Sequence, residues 1–212
     1  MTEVCGSAKF WVLYLNRASQ IYGGPGRGTQ YDMSEACPLC GTGARLTGPL
    51  ILRAGQFPKK ADLFPTLDHE FIVSPQLSAH LRGAGVTCLG TVQGVRPGND
   101  GYAVLQSDAT LPPFSQRTQG YEVERQCPEC KRDGHFNIPH VPLQLVFDSV
   151  EHNILAYDVL NTWECFGNSA LRTPFRDSVF ASPLHVVSNR FRTLLEEFSV
   201  RRMDFEPVVM NE

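Results

Sequence analysis

The chain has 212 residues, a formal net charge of −3, 42% hydrophobic and 19% charged residues, and a pI near 6.1. This length and balance exclude a disordered segment and a peptide-sized module, and fit one large domain or two small lobes. The slightly acidic balance supplies no concentrated basic face for nucleic acid, so charge favours a protein or small-molecule partner.

The N-terminus shows no basic region leading into an apolar run and a small-residue cleavage site. No stretch of about 20 apolar residues occurs, so no membrane-spanning segment is expected. The expected location is cytoplasmic. There the seven cysteines stay reduced, and paired CxxC motifs point to metal before disulfide.

Residues 10–15, Phe-Trp-Val-Leu-Tyr-Leu, read as a buried strand. Gly23-Gly24-Pro25-Gly26-Arg27-Gly28 follows as a glycine-rich loop without the lysine and Ser/Thr of a phosphate-binding loop. Next comes the first knuckle, Cys37-Pro38-Leu39-Cys40-Gly41. Residues 42–68, rich in Gly and Pro, should form turns and short strands. Asp68-His69-Glu70, taken as extended, would point its side chains to opposite faces and so form no site.

Phe71-Ile72-Val73 reads as a strand, with Ser74 as N-cap and Pro75 at the first helical position. Leu77, His80, Leu81 and Ala84 form a helical stripe that Gly83 and Gly85 end, and Val86–Val92 is the next strand. The same pattern returns near the C-terminus. Ser188, Phe191, Leu195 and Val200 follow Ser74, Leu77, Leu81 and Val86 by one constant offset of 114 positions. A single offset for cap, stripe and strand suggests an internal repeat, with units at about 69–92 and 183–206.

Between the units lies the second knuckle, Cys127-Pro128-Glu129-Cys130-Lys131. Leu143, Leu145 and Phe147 alternate as a strand, and Ile154–Tyr157 and Thr162–Phe166 could supply two more. Cys88 and Cys165 read as buried small hydrophobes, with Cys5 the remaining cysteine. No low-complexity linker divides the chain. The expected fold is α+β, one composite domain over residues 1–212, with mixed sheets and two similar strand-helix-strand units joined by a four-cysteine zinc knuckle pair at 37–41 and 127–131.

Two residues between paired thiols, twice over, supply the four soft ligands of a structural zinc: Cys37, Cys40, Cys127 and Cys130. Proline after the first cysteine pre-sets the turn, and Gly41 permits the positive φ that closes it; Lys131 does so less easily. Four free thiols and a redox dithiol are the competing readings. A catalytic zinc would need an open position, obtained only if His135 or His140 replaced a cysteine. No G-x-S-x-G elbow, H-E-x-x-H helix or paired carboxylates appear, so no enzyme is expected.

The two knuckles resemble those of the bacterial double-CXXCG motif family, which includes immunity proteins of the myxobacterial Sit toxin systems. Leu81-Arg82-Gly83-Ala84-Gly85-Val86 through Leu89-Gly90, and Val187-Ser188-Asn189-Arg190-Phe191 through Phe205-Glu206-Pro207, resemble that family in the same order. Lys131 replaces the glycine of the second motif. The resemblance implies an immunity protein that occludes one cognate toxin without turnover. Asp148, Glu151, Asp158 and Glu164 are candidate acidic contacts for a basic toxin cleft. The alternative is a zinc-ribbon nucleic-acid or transcription accessory protein, for which Arg125, Lys131 and Arg132 provide a small basic cluster.

Overall fold

The computed structural model describes residues 8–15, 21–24, 28–52, 58, 61–67, 69–94, 101–107, 109–123, 126–136, 143–166 and 181–211. In chain order the elements are β1 (Phe10–Leu15), β2 (Tyr31–Asp32), β3 (Arg45–Leu46), β4 (Leu50–Leu52), β5 (Leu63–Pro65), β6 (Phe71–Val73) and α1 (Pro75–Gly83). Then come β7 (Leu89–Gly94), β8 (Ala103–Leu105), β9 (Tyr121–Glu122), β10 (Asp133–Phe136), β11 (Val146–Phe147) and β12 (Val159–Phe166). The chain closes with β13 (Ser182–Ser188), α2 (Asn189–Glu197), β14 (Met203–Pro207) and β15 (Val209–Met210).

Two mixed sheets carry the architecture, which is α+β with strand predominating. One orders its strands β14-β1-β13-β12-β10-β9 and the other β4-β7-β8-β6-β5. In the first, β10 runs parallel to β12; in the second, β4 runs parallel to β7. β1 is central because its six residues have no breaker: the first four are buried, and it pairs antiparallel with both β13 and β14. Among the described residues no helix is long and apolar enough to cross a membrane.

Each helix begins at the serine its sequence marks as the cap. Ser74 Oγ accepts from Leu77 N–H at 3.2 Å, and Ser188 Oγ from Phe191 N–H at 3.1 Å. Each cap hydroxyl also donates to an aspartate, Asp62 at 3.0 Å and Asp158 at 2.9 Å. At the other ends Val86 N–H donates to Leu81 O and Val200 N–H to Leu195 O, both at 3.0 Å. The residue that reverses the chain there has positive φ in both cases, 81° at Gly85 and 61° at Ser199. Gly83 is the last helical residue; the turn is made by Gly85, and β7 starts three residues later than Val86.

The strands flanking the helices share an order as well. β8 lies between β6 and β7 and antiparallel to both, as β1 lies between β13 and β14. One core cluster spans both sheets and both helices, with Leu77 and Leu81 of α1, Phe191 and Leu195 of α2, Leu63 and Val73 of one sheet, and Trp11 and Val187 of the other. This apolar contact joins the two helical segments directly. The cysteines form a separate small cluster, which ties the segment around β2–β3 to the edge of the six-stranded sheet.

Two local expectations change. Leu143–Phe147 is buried throughout except for Gln144, but only Val146–Phe147 is a strand, paired with β15. Ile154–Ala156 is a 3₁₀ turn, closed by bonds such as Ile154 N–H to Glu151 O at 3.0 Å. Cys165 is buried and Cys88 half-buried against the core, whereas Cys5 lies outside the described residues, as does part of the glycine-rich loop.

Candidate metal centre

The CxxC turns bring Cys37, Cys40, Cys127 and Cys130 together from chain segments 86 residues apart. Their sulfurs all lie within 4.8 Å of one another. Cys37 Sγ is 3.8 Å from Cys127 Sγ, and Cys40 Sγ is 3.6 Å from Cys130 Sγ. A disulfide needs about 2.05 Å, so these are free thiols. A tetrahedral ion with metal–sulfur bonds near 2.3 Å spaces its sulfurs by roughly 3.8 Å. The arrangement can therefore hold one metal ion.

Each turn is closed by the backbone. Gly41 N–H donates to Cys37 O at 2.8 Å, and Lys131 N–H to Cys127 O at 3.0 Å. Both closing residues are left-handed, with φ of 73° at Gly41 and 53° at Lys131. Glycine takes this conformation freely; lysine takes it at a cost of about 1–2 kcal/mol. Replacing Lys131→Gly should raise stability by about 0.5–1 kcal/mol after glycine's larger unfolded-state entropy is subtracted. Urea denaturation of the metal-loaded protein checks this, and a loss of stability would contradict the strain assignment.

Beyond the sulfurs the two turns differ. Cys37 N–H donates to Thr42 O at 2.9 Å, whereas Cys127 N–H donates to the buried Asp133 carboxylate at 2.7 Å. Burial pushes the thiols of Cys127 and Cys130 above their ordinary range, and the neighbouring sulfurs of Cys37 and Cys40 push the same way. A bound cation reverses that balance by favouring thiolate.

Arg132 anchors the second knuckle to the sheet. Its guanidinium donates twice to Trp163 O, at 3.1 and 2.9 Å, and lies 4.8 Å from the centre of the Trp163 ring. A β-bulge in β12 between Asn161 and Cys165 accompanies this contact. Gly43 of the first knuckle leaves room for it: a Cβ there would stand 2.8 Å from Arg132 Nη1. The arginine is thus engaged within the protein. His135 lies in β10, while His140 and Arg125 lie outside the described residues.

The acidic candidates scatter. Asp148 is exposed and pairs with Arg117, Glu151 is exposed, and Asp158 holds the α2 cap and Arg190. Glu164 is no surface residue: it is buried, and Oε1 accepts from Phe114 N–H at 2.7 Å. Burial holds its carboxyl above the usual range.

A second polar group of side chains lies away from the metal centre. The 68–70 segment is a turn rather than extended chain: His69 has φ of 71°, and its N–H donates to Thr66 O at 3.2 Å. His69 and Glu70 consequently line the same cleft, where His185 of β13 and Asn161 of β12 join them. Asp68 lies outside the described residues. Nothing in the local sequence pattern marks Asn161 and His185, because strand pairing alone makes them neighbours.

Burial pushes the His185 imidazole down to about 4 from an ordinary 6.5. Between those values the unfolded chain binds more protons than the folded one, so stability is complete above about pH 6.5 and falls as pH drops toward 4. The loss should be on the order of 2 kcal/mol, below the full shift because the ring retains some solvent contact. Urea unfolding at pH 7 and pH 4.5 tests it; an unchanged pH slope in His185→Gln would contradict it.

A scan of protein-family models and a search of curated proteins return no match for this chain.

Proposed function

We propose that this chain is a non-catalytic binding protein of the toxin-immunity type, with a single structural zinc held by Cys37, Cys40, Cys127 and Cys130. The observation that carries the zinc is the sulfur spacing, 3.6–3.8 Å across the two turns, which suits a d¹⁰ ion with four thiolates and no open coordination position. A metal held this way does structural work: it fixes two turns and supplies no activated water.

The immunity role rests on the knuckles and flanking blocks that resemble the double-CXXCG family. The matching cap, strand order and turn geometry of the two helical segments support reading them as two copies of one unit. In this reading the units present the surface that occludes a cognate toxin in the cytoplasm. Arg132, engaged on Trp163, leaves Lys131 alone on the described part of the basic cluster, which disfavours nucleic acid as the partner.

The test is co-expression with the protein encoded immediately upstream. Capture of that protein by the tagged chain and rescue of cells from its toxicity are the expected results. Failure of both overturns the immunity role and leaves the zinc assignment to metal analysis.

A further inference from the structure

Two clefts meet at the seam between the sheets. One, of about 350 Å³, is walled by Tyr31, Asp32 and Arg45 of the β2–β3 hairpin, by Glu70, and by Ser107 and Asn161. The other, of about 560 Å³, is mainly apolar, with Leu13, Leu15, Phe71, Phe166 and Leu184 in its wall. His69, Ser182, Pro183 and His185 line both. Volumes of this size suit small organic ligands, and an apolar chamber beside a polar one suits a ligand with a body and a head.

The hydrogen bonds around the polar chamber decide what kind of head fits. Asn161 Nδ2 donates to Ser107 O at 2.9 Å, so its amide oxygen faces His185 Nδ1, 3.0 Å away. Nδ1 therefore carries the imidazole proton, and Nε2 is left as an acceptor. Phe71 meets the same ring edge-on, with centroids 5.0 Å apart, and holds its orientation.

Other donors around the chamber are engaged within the protein. Tyr31 donates to Glu70 at 3.1 Å, Gln106 to Leu46 O at 3.2 Å, Ser107 Oγ to Val159 O at 2.5 Å, and Arg45 to Glu35 at 3.1 Å. The acceptors have capacity to spare: His185 Nε2, and the carboxylates of Asp32 and Glu70, each with several lone-pair sites. The Ser34 N–H bond favours the ionised form of Asp32. A ligand entering here must bring donors, and positive charge suits it. The turn that supplies His69 is held in the left-handed region, a conformation costly for histidine and concentrated at ligand sites.

We propose that this seam binds a small organic cation, with an amine or guanidinium head at His185, Glu70 and Asp32 and an apolar body against Phe71, Phe166 and Leu184. The site is separate from the four thiols and does not depend on the immunity reading.

The experiment titrates the ¹⁵N-labelled, metal-loaded full chain with 2-phenylethylamine. 3-Phenylpropionate, of similar shape and opposite charge, is the control. Saturable amide shifts at Phe71, Leu184 and His185 are expected, with the amine binding at least about ten-fold tighter than the acid. His185→Phe, similar in size but without the acceptor, should weaken the amine by about ten-fold. Should that variant misfold, Asp32→Asn keeps an oxygen for Ser34 N–H and should weaken it by about three-fold. Equal affinity for amine and acid, absence of saturable shifts at those three residues, or unchanged amine affinity in the folded variants overturns the proposal.

Discussion

Cys37→Ser and Cys130→Ser each lose the bound metal and about 3–5 kcal/mol of stability, while Cys165→Ala keeps the metal. The first two remove one sulfur of a set whose members lie within 4.8 Å of each other. A hydroxyl is a far poorer ligand for a soft site, so three remaining thiolates bind weakly, and the stabilisation a tightly bound metal gives the folded state goes with it. The full binding energy of a structural zinc, about 10–16 kcal/mol in small metal-dependent modules, sets the upper limit. The loss here should be smaller, because the core shared by α1 and α2 already draws the intervening chain together. Metal content by mass spectrometry, with urea denaturation before and after chelation, measures both effects. One zinc retained in both serine variants would refute the four-ligand site. Iron in place of zinc would correct the metal and leave the ligand set standing.

The features legible in the sequence are those in which one short segment contains all the information. The CxxC turns, the two serine caps and the helical stripes belong to this class: spacing and φ preference fix them within a few residues. Even there, Gly83 shows the limit. Two glycines near a helix end look alike in sequence, and only the αL turn at Gly85 separates them. The polar seam belongs to the other class. His185 faces Asn161 because β12 and β13 pair across the sheet, and Glu164 is buried because Phe114 arrives from 50 residues earlier. His69 is hidden because an extended segment would send neighbouring side chains to opposite faces; a left-handed residue breaks that alternation. The metal ligands are legible because sulfur chemistry makes four scattered cysteines a set before their positions are known. Neutral polar residues carry no comparable signature.

Phe191→Ala should cost about 3–5 kcal/mol, and its effect should extend beyond α2 into the five-stranded sheet. Phe191 is almost fully buried and belongs to the cluster containing Leu77 and Leu81 of α1 and Leu63, Val73 and Leu105 of that sheet. Truncating a buried phenylalanine removes transfer free energy and leaves a cavity that a close-packed core fills only in part. Because helices from both segments line this cavity, the loss falls on the contact between them. Native-state hydrogen exchange at Ile72 and Val104, in the five-stranded sheet, should therefore lose protection along with Val12 and Val186 in the other. Unchanged protection at Ile72 and Val104 beside weakened protection at Val12 and Val186 would show that the sheets unfold independently, and would sink the shared-core argument. The variant should still bind metal, since the cysteines form a cluster of their own. That outcome separates two sources of stability: a metal that fixes the β2–β3 arm, and an apolar core that holds the sheets together without it.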